Sequence, residues 1–325
     1  MGERVHDIAG QGKGPDRKAA ATRDAYGKAL LELGKKRSDV VVLDADLSNS
    51  TKTRSFAHAF PERFFNMGIS EQDMVGTAAG LSLTGKLPFA STFAIFETGR
   101  AWEQIRQTLC YSRLNVKLVA THGGITVGED GASHQALEDI ALMRVLPEMT
   151  VIVPADGLET EQVINAIADY HGPVYVRLGR SKVPVLMPDD YLFRLGRAHI
   201  FHLGKDANII ASGIMVNEAI TARNVLGERG IDAGVINMPT IKPLDEDAVL
   251  RAADSGLIVT AEEHSVIGGL GSAVCELLSE KRPTRVRRVG VKDRFGRSGK
   301  PEELMRVYGL TSGDIADTIL GELNR

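Results

Sequence analysis

The sequence predicts an α/β protein with two doubly wound domains. Over most of the chain, apolar runs of strand length alternate with stretches whose apolar residues recur at helical spacing. Strands separated by helices of this length form parallel βαβ units. A proline-marked stretch at residues 181–198 interrupts the alternation, which then resumes in a shorter form. Two α/β domains joined by a linker account for this arrangement.

In the first part of the chain, a helix is predicted at residues 21–36, where Tyr26, Leu30 and Leu33 lie on one face. Ser70 precedes a second helix of small and apolar residues, and Trp102 lies in a third. Apolar runs predict strands at residues 40–46, 87–93, 115–122, 149–156 and 173–179. We therefore expect a parallel sheet that is covered by helices.

The second part of the chain repeats this alternation on a smaller scale. Strands are predicted at residues 207–213, 232–238, 256–263 and 286–291, and helices near residues 215–229, 245–254 and 268–281. Gly230 stands where a glycine commonly ends a helix. The predicted organisation is a flexible lead-in at residues 1–15, a first domain at residues 16–188 and a second at residues 189–325.

The composition is that of a soluble globular protein, with 43% hydrophobic residues, 25% charged residues and a net charge of −3. No apolar run approaches the length that spans a membrane, and the charged, glycine-rich start argues against a secretory signal. Cys110 and Cys275 lie far apart in the sequence. A reduced cytoplasmic protein without disulfides is therefore expected.

One basic segment, residues 281–297, raises the question of nucleic-acid binding. Arginine alternates with valine at Arg285, Val286 and Arg287, which predicts a half-exposed strand. The segment has a single aromatic residue, Phe295, and the whole chain is slightly acidic. These features favour a solvated face or a local phosphate contact over a nucleic-acid surface.

Glu71, in the stretch FNMGISEQDMVG, is an acidic residue at the entrance of an otherwise apolar helix. One interpretation is local: Ser70 caps the helix, Asp73 completes a capping box and Glu71 complements the helix dipole. The other is functional, because a carboxylate at the mouth of a buried helix must be desolvated or meet a partner. The local pattern alone leaves both open.

A glycine-rich loop, ATHGGITVGEDGASHQ at residues 120–135, follows a predicted strand and carries His122, Glu129, Asp130 and His134. Loops at the carboxyl ends of parallel strands are where α/β folds bind ligands, and glycines let the backbone approach a ligand closely. The two histidines and the aspartate suit hydrogen bonding and proton transfer. A metal site is disfavoured, because no cysteine or helical histidine pair accompanies them.

Three segments, NMGISEQDMVGTAAGL, ATHGGITVGEDGASHQALED and VIVPADGLET, together resemble the C-terminal half of transketolase, a thiamine-diphosphate enzyme. The resemblance runs from about residue 17 to the end of the sequence. It implies the family's pyrimidine-binding domain followed by its smaller C-terminal domain. The implied activity is transfer of a two-carbon ketol unit from a ketose phosphate to an aldose phosphate.

The Gly-Asp-Gly motif, with which thiamine-diphosphate enzymes hold the diphosphate and its metal, does not occur in the sequence. The resemblance therefore implies a separate N-terminal subunit that carries this motif and binds Mg²⁺ or Ca²⁺. Self-association of this chain as a dimer then predicts a heterotetramer of two subunits of each kind. Nucleic acid and membranes are not expected partners.

The resemblance implies that Glu71 hydrogen-bonds the N1′ atom of the cofactor's aminopyrimidine ring. Phe93 and Phe96 match aromatic residues that pack on this ring, although their spacing also suits an ordinary core. A third aromatic residue of the family is replaced by Gly99. Asp46 matches an acidic residue that shapes the cofactor site.

The resemblance also implies a substrate site. His122 and His134 match histidines that contact substrate hydroxyl groups and assist proton transfer, and Asp130 matches an aspartate that recognises a hydroxyl. The family's residues that bind the sugar phosphate are matched by Arg23, Ser50 and Arg180. Arg177 is the alternative to Arg180. His264 either faces a subunit interface or is a satisfied structural histidine.

Three other functions compete with transketolase. 1-Deoxyxylulose-5-phosphate synthase shares the layout and a similar GEDG-containing loop but resembles this chain less around His122. The β subunit of a 2-oxo-acid dehydrogenase is also a split thiamine enzyme, and its loop lacks the GEDGASHQ pattern. A non-catalytic dimerisation or regulatory subunit is disfavoured by the presence of Glu71, His122, Asp130 and His134.

Overall fold

The computed structural model describes residues 19–323, so the predicted lead-in at residues 1–15 lies outside the described part. Within that part the strands form a seven-stranded sheet, a five-stranded sheet and a small two-stranded sheet. Helices separate most of the parallel strands, as in βαβ units. The predicted α/β fold class is confirmed.

The first part of the chain supplies most of the larger sheet. The strands in this part of the chain are β1 (Ala20–Ala21), β2 (Val40–Asp44), β3 (Phe64–Asn66), β4 (Leu87–Ser91), β5 (Lys117–Ala120), β6 (Thr150–Ile152), β7 (Val174–Arg177) and β8 (Lys182–Val183). All five strands predicted here contain an observed strand. The strands β3, β2, β4, β5, β7 and β6 are neighbours in this order and run parallel.

Helices cover this sheet. They are α1 (Thr22–Lys36), α2 (Ser48–Thr51), α3 (Arg54–Ala59), α4 (Glu71–Leu83), α5 (Ala94–Arg100), α6 (Trp102–Gln104), α7 (Asp139–Arg144) and α8 (Gly157–Asp169), with 3₁₀ turns at Pro61–Arg63 and Ile125–Asp130 and a π-helix at Ile105–Cys110. The apolar face predicted for α1 is buried, and it packs beside strand residues such as Val42 and Phe89. Burial of this face holds the helix on the sheet.

The second part of the chain builds the smaller sheet. Its elements are β9 (His199–His202), β10 (Ala207–Ala211), α9 (Met215–Glu228), β11 (Ala233–Asn237), β12 (Thr240–Lys242), α10 (Glu246–Ala252), a 3₁₀ turn at Ala253–Ser255, β13 (Leu257–Ser265), α11 (Leu270–Lys281), β14 (Arg285–Val291), α12 (Pro301–Tyr308) and α13 (Ser312–Leu323). The sheet order is β14-β13-β10-β11-β9, with β9 antiparallel at the edge.

The strand β12 links the two sheets. It belongs to the second part of the chain in sequence, but it pairs antiparallel with β6 at the edge of the larger sheet. Thr240 lies opposite Ile152 in this pairing. A further antiparallel pair joins β1 to β8, with Ala20 opposite Val183. The second part of the chain therefore contacts the first through backbone pairing as well as through side chains.

Candidate functional site

The predicted site residues lie at one edge of the larger sheet. Its parallel strands end in the same direction, so the segments that follow β2, β3, β4, β5 and β7 meet at their carboxyl ends. These five segments carry all the predicted site residues except Arg23. Arg23 lies in the first turn of α1 and reaches the site through its contact with His122. The sheet thus brings together residues that are up to 157 positions apart, from Arg23 to Arg180.

Glu71 is the first residue of α4, and only 3% of its surface is exposed. Its Oε1 accepts a hydrogen bond of 2.8 Å from Nη1 of Arg100. Of the two interpretations, the capping box is not formed: the side chain of Ser70 makes no hydrogen bond to α4, a helix that lies wholly within the described residues. The side chain of Glu71 is therefore buried, and an arginine is its hydrogen-bond partner.

Phe93 and Phe96 form a flat aromatic surface beside Glu71. Their rings are stacked with centroids 5.8 Å apart and planes 12° apart. The guanidinium carbon of Arg100 lies 4.1 Å from the centroid of the Phe96 ring. A side chain at Gly99 would meet no described atom within 4 Å of its Cβ, so this position is open where the resemblance led us to expect a third aromatic residue.

His122 is buried and lies against Phe93, with ring centroids 3.7 Å apart. Its Nε2 is 2.9 Å from Nη1 of Arg23, and its Nδ1 is 2.7 Å from Oγ1 of Thr121. Because arginine can only donate, Nε2 must accept, which leaves the proton on Nδ1 as a donor to Thr121. Burial lowers the pKa of His122 to about 3, and the charge of Arg23 adds to the effect. The imidazole is therefore neutral at neutral pH.

The backbone of His122 adopts φ of +60°, in the left-handed region that residues other than glycine seldom occupy. Such conformations persist only where surrounding contacts hold them, and they cluster at functional sites. Here the contacts to Arg23, Thr121 and Phe93 surround the ring.

His134 lies on the outer side of the same aromatic cluster. Its ring packs edge-on against Phe96 at a centroid distance of 5.3 Å and against Phe93 at 6.1 Å. Its Nδ1 is 3.0 Å from Oγ of Ser133. The side chain is half-buried, so one imidazole of the pair is enclosed and the other is open to solvent.

Arg23 connects His122 to the segment after β2. Its Nη1 also donates to the backbone oxygen of Ser50 at 3.2 Å. Among the described residues, its buried Nε has no hydrogen-bond partner. A buried donor of this kind is costly when unpaired, so this guanidinium has capacity for a further acceptor.

Arg180 and Asp130 form an exposed pair next to this arginine. Nη1 of Arg180 donates to Oδ2 of Asp130 at 3.1 Å and to the backbone oxygen of Val127 at 2.8 Å. The rival Arg177 is buried, and its Nε donates to Oδ2 of Asp139 at 2.8 Å. Arg180 is therefore the better placed of the two to meet a ligand.

Asp46 is exposed and has φ of +64°. Its Oδ1 accepts a hydrogen bond of 3.0 Å from Asn66, and Asn66 in turn accepts from the backbone N–H of Gly68. These contacts tie the end of β2 to the turn that precedes Glu71. His264 is fully buried, and its Nδ1 donates to the backbone oxygen of Ser265 at 2.7 Å, so the structural interpretation of this histidine is favoured.

Sequence reasoning missed two residues of this site, Arg100 and Glu97. Within residues 19–323, neither carboxyl oxygen of Glu97 has a hydrogen-bond partner, although the side chain is fully buried. Burial raises the pKa of Glu97 well above its ordinary value, and the negative charges of Asp44 and Glu71 add to the effect. Glu97 therefore holds a proton more tightly than an exposed glutamate does, and it stands near Glu71. The stretch FETGR carries both residues, but its pattern does not indicate which way either points.

The site fits the aminopyrimidine ring of thiamine diphosphate. The guanidinium of Arg100 is a planar cation that is stacked on Phe96 and hydrogen-bonded to Glu71. A protonated aminopyrimidine can make the same two interactions, a stack on an aromatic face and a hydrogen bond to a carboxylate. Among residues 19–323, no three histidine, cysteine, aspartate or glutamate side chains are grouped so as to hold a metal ion.

The edge of this parallel sheet combines a buried carboxylate, an aromatic face, two imidazoles and three arginines. Models of known families identify the domain that carries these residues. Residues 18–185 match the transketolase pyrimidine-binding domain, and residues 196–315 match the transketolase C-terminal domain. The chain belongs to the transketolase family.

Several relatives support this membership. A protein of Methanocaldococcus jannaschii, provisionally assigned as a transketolase C-terminal section, is 51% identical over 306 residues, which cover 93% of this chain and 96% of that protein. The 6-deoxy-6-sulfo-D-fructose transketolase subunit of a Clostridium species is 42% identical over 294 residues, covering 90% and 91%. A solved structure described as a split gene transketolase, inactive β4 tetramer, is 53% identical with a TM-score of 0.86, covering 94% and 99%.

Proposed function

We propose that this chain is the C-terminal subunit of a thiamine-diphosphate-dependent transketolase, which transfers a two-carbon ketol unit from a ketose phosphate to an aldose phosphate. The observation that carries the proposal is the buried carboxylate of Glu71 beside the Phe96 ring, with His122 and His134 in the same aromatic cluster. When bound, thiamine diphosphate would supply a carbon nucleophile for the ketose carbonyl and an electron sink for the electron pair of the carbon–carbon bond that breaks.

Glu71 would hold a proton at N1′ of the aminopyrimidine ring, and Phe96 would support the face of that ring. The position of Glu71 at the first turn of α4 fixes its carboxylate without a flexible loop. Phe93 stacks on both Phe96 and His122, so it sets the distance between the cofactor side and the substrate side of the site.

The two histidines suit different tasks. The neutral imidazole of His122 offers a lone pair at Nε2, which now accepts from Arg23 and would accept from a sugar hydroxyl group. His134 is half-buried and reaches solvent, so it is the better group to exchange a proton during turnover. Asp130, exposed at the end of the 3₁₀ turn, would accept a hydrogen bond from a substrate hydroxyl.

Arg180 and Arg23 would bind the anionic end of the sugar. Both guanidinium groups lie near Asp130, and Arg23 has a buried donor without a partner among the described residues. Guanidinium groups bind phosphate strongly, and Ser50 lies within the same group through its contact with Arg23. The Clostridium relative named for a sulfo sugar indicates that a sulfonate is the anionic group to compare with phosphate.

We propose that a separate subunit with a Gly-Asp-Gly motif holds the diphosphate and its Mg²⁺ or Ca²⁺. The name of the split gene relative and the lack of that motif in this sequence support the proposal. The assembly we propose is a heterotetramer of two subunits of each kind in the cytoplasm, where the free thiols of Cys110 and Cys275 are stable. In the described part of the chain, no helix is long and apolar enough to span a membrane.

A substrate panel tests the function. The assembled enzyme is assayed with ketose phosphate donors and aldose phosphate acceptors, with pyruvate and an aldose phosphate, and with 2-oxo acids plus an artificial electron acceptor. The proposal predicts thiamine-dependent ketol transfer and no turnover of pyruvate or other 2-oxo acids. Turnover of pyruvate with the aldose phosphate would identify a 1-deoxyxylulose-5-phosphate synthase, and oxidation of a 2-oxo acid would identify a dehydrogenase subunit. A complex inactive with all substrates would support a non-catalytic role.

A further inference from the structure

The loop that carries His122, Asp130 and His134 rests on the C-terminal domain. We infer that Glu263, which projects from β13, is a positioning residue that fixes the backbone of this loop and thereby holds the substrate-binding residues in place. The anchoring of the loop stands on its own contacts, whereas its effect on substrate rests on the proposed function.

The direct contact is a short hydrogen bond between the domains. Oε1 of Glu263 accepts from the backbone N–H of Thr126 at 2.6 Å, and the glutamate is 4% exposed. A hydrogen bond from a backbone amide to a carboxylate is roughly twice as strong as one between neutral groups. Loss of this acceptor would leave the Thr126 amide buried and unpaired.

The loop is shaped to receive this carboxylate. Gly124 has φ of +87°, and a Cβ there would lie 2.2 Å from Cδ of Glu263. Only glycine therefore permits both the backbone conformation and the close approach of the glutamate. The position of Gly124, two residues before Thr126, explains how the carboxylate reaches the loop backbone.

Arg177 reinforces the same junction from the larger sheet. Its Nη2 donates to the backbone oxygens of Glu263 at 2.9 Å and of Ala136 at 3.0 Å. Ala136 in turn accepts from the backbone N–H of Gly124 at 2.9 Å. Both ends of the loop are thus connected to β13 through one buried arginine.

A second contact lies farther along the loop. Nε2 of Gln135 donates to the backbone oxygen of Ile125 at 3.1 Å and to that of Arg297 at 3.0 Å. A Cβ at Gly131 would lie 2.5 Å from Oγ of Ser298, so the loop also meets the segment before α12 closely. The C-terminal domain therefore supports the loop at two places.

The experiment compares Glu263→Ala with the matched control Glu262→Ala. Glu262 is the preceding residue of β13 and equally buried, but its carboxylate accepts from Leu270 and Gly271 within its own domain. Hydrogen exchange is followed by mass spectrometry, and the KM of the ketose phosphate and the Kd of the cofactor are measured on the assembled enzyme. Glu263→Gln, which keeps an acceptor oxygen, is the second variant and is compared with Glu262→Gln.

We expect Glu263→Ala to accelerate exchange in peptides covering residues 123–131 by at least ~10-fold, because the buried hydrogen bond from the Thr126 amide is lost. In the same variant the KM should rise by about 10-fold, while the Kd of the cofactor stays unchanged. Glu262→Ala should neither accelerate exchange in the loop nor raise the KM. Glu263→Gln should produce a smaller change of the same kind, and it decides the question if Glu263→Ala does not fold.

Unchanged exchange in the loop of both Glu263 variants would overturn the anchoring. Faster exchange with unchanged KM and kcat would overturn the positioning of substrate residues. If the parent complex lacks transketolase activity, the proposed function fails, and the exchange result alone decides whether Glu263 holds the loop.

Discussion

Glu71 and Arg100 form an ion pair on the face of Phe96. The carboxylate and guanidinium groups are 2.8 Å apart, and the guanidinium carbon is 4.1 Å from the ring centroid. A planar cation thus lies where the proposed function requires a planar cofactor ring with the same carboxylate partner. The side chain of Arg100 is 48% exposed, so it can turn outward when that ring binds.

Arg100→Ala is expected to tighten cofactor binding by the assembled enzyme several-fold, since the ring no longer displaces a half-exposed ion pair worth about 1 kcal/mol. Calorimetric titration with thiamine diphosphate measures the Kd. The control is Arg106→Ala, which removes the same charge from an exposed position. Weaker binding by Arg100→Ala would mean that this arginine holds the cofactor instead of occupying its place.

Glu71→Ala is expected to lower turnover by at least ~10²-fold, the lower range for loss of a general acid–base group. Asp73→Ala is the matched control, because Asp73 is an exposed acid in the first turn of the same helix. Steady-state ketol transfer is measured for both variants with saturating cofactor. Near-normal turnover of Glu71→Ala, or an equal loss of turnover in Glu71→Ala and Asp73→Ala, would mean that Glu71 only complements the helix dipole.

Arg180→Ala is expected to raise the KM for phosphorylated sugars at least ~10-fold more than for unphosphorylated analogues, because one charged phosphate contact is lost. Lys182→Ala removes a neighbouring exposed positive charge and should affect both kinds of sugar equally. The KM values are compared across the two substrate series. An equal effect of Arg180→Ala on both series would remove Arg180 from the anion site.

His122 makes the fold sensitive to acid. Burial lowers the pKa of His122 to about 3, whereas the unfolded chain takes up a proton on this residue below about pH 6.5. Stability from this group is therefore complete above about pH 6.5 and is lost as the pH falls toward 3, by up to about 1.4 kcal/mol per pH unit. His122→Gln should remove this dependence, as measured by urea unfolding from pH 7 to pH 4. Parallel pH curves for the parent and the variant would contradict the assignment.

The effect of Glu97 on folding stability depends on pH in the opposite direction. The unfolded chain loses the proton of Glu97 above about pH 4.3, while burial raises the pKa of Glu97 in the folded chain well above that value. Folding therefore keeps a proton bound, and stability falls as the pH rises from about 4.3 toward the raised pKa. Glu97→Gln is neutral at every pH and should become more stable relative to the parent between pH 5 and pH 8. A constant difference in unfolding free energy would show that Glu97 is ionised in the fold.

The sequence predicted the larger features because they are encoded locally. The run at residues 40–46 is entirely apolar up to Asp44, and it forms β2. The order of the parallel strands then brings Glu71, Phe96 and His122 to one edge, which is why motifs in separate segments form one site. The strand β12 was missed, because three residues are too few for a periodic pattern.

Contacts between distant segments could not be predicted. Arg100 and Glu71 are 29 positions apart, and their pairing depends on how α5 packs against α4. Glu263 and Thr126 are 137 positions apart and belong to different domains. Ser70 occupies the N-cap position of α4, but the side-chain cap that one interpretation offered is not formed. Its backbone, with φ of −146° and ψ of 65°, lies outside the extended region that a capping residue usually adopts.

We propose that a second chain completes the catalytic site. Mild purification from the native source, followed by mass spectrometry of the co-eluting chain and an assay of the complex, tests whether this chain has such a partner. We predict a partner that carries Gly-Asp-Gly and a downstream asparagine, and a complex whose ketol transfer depends on thiamine diphosphate and Mg²⁺. Elution of this chain alone, with no binding of thiamine diphosphate in the presence of Mg²⁺, would contradict the claim.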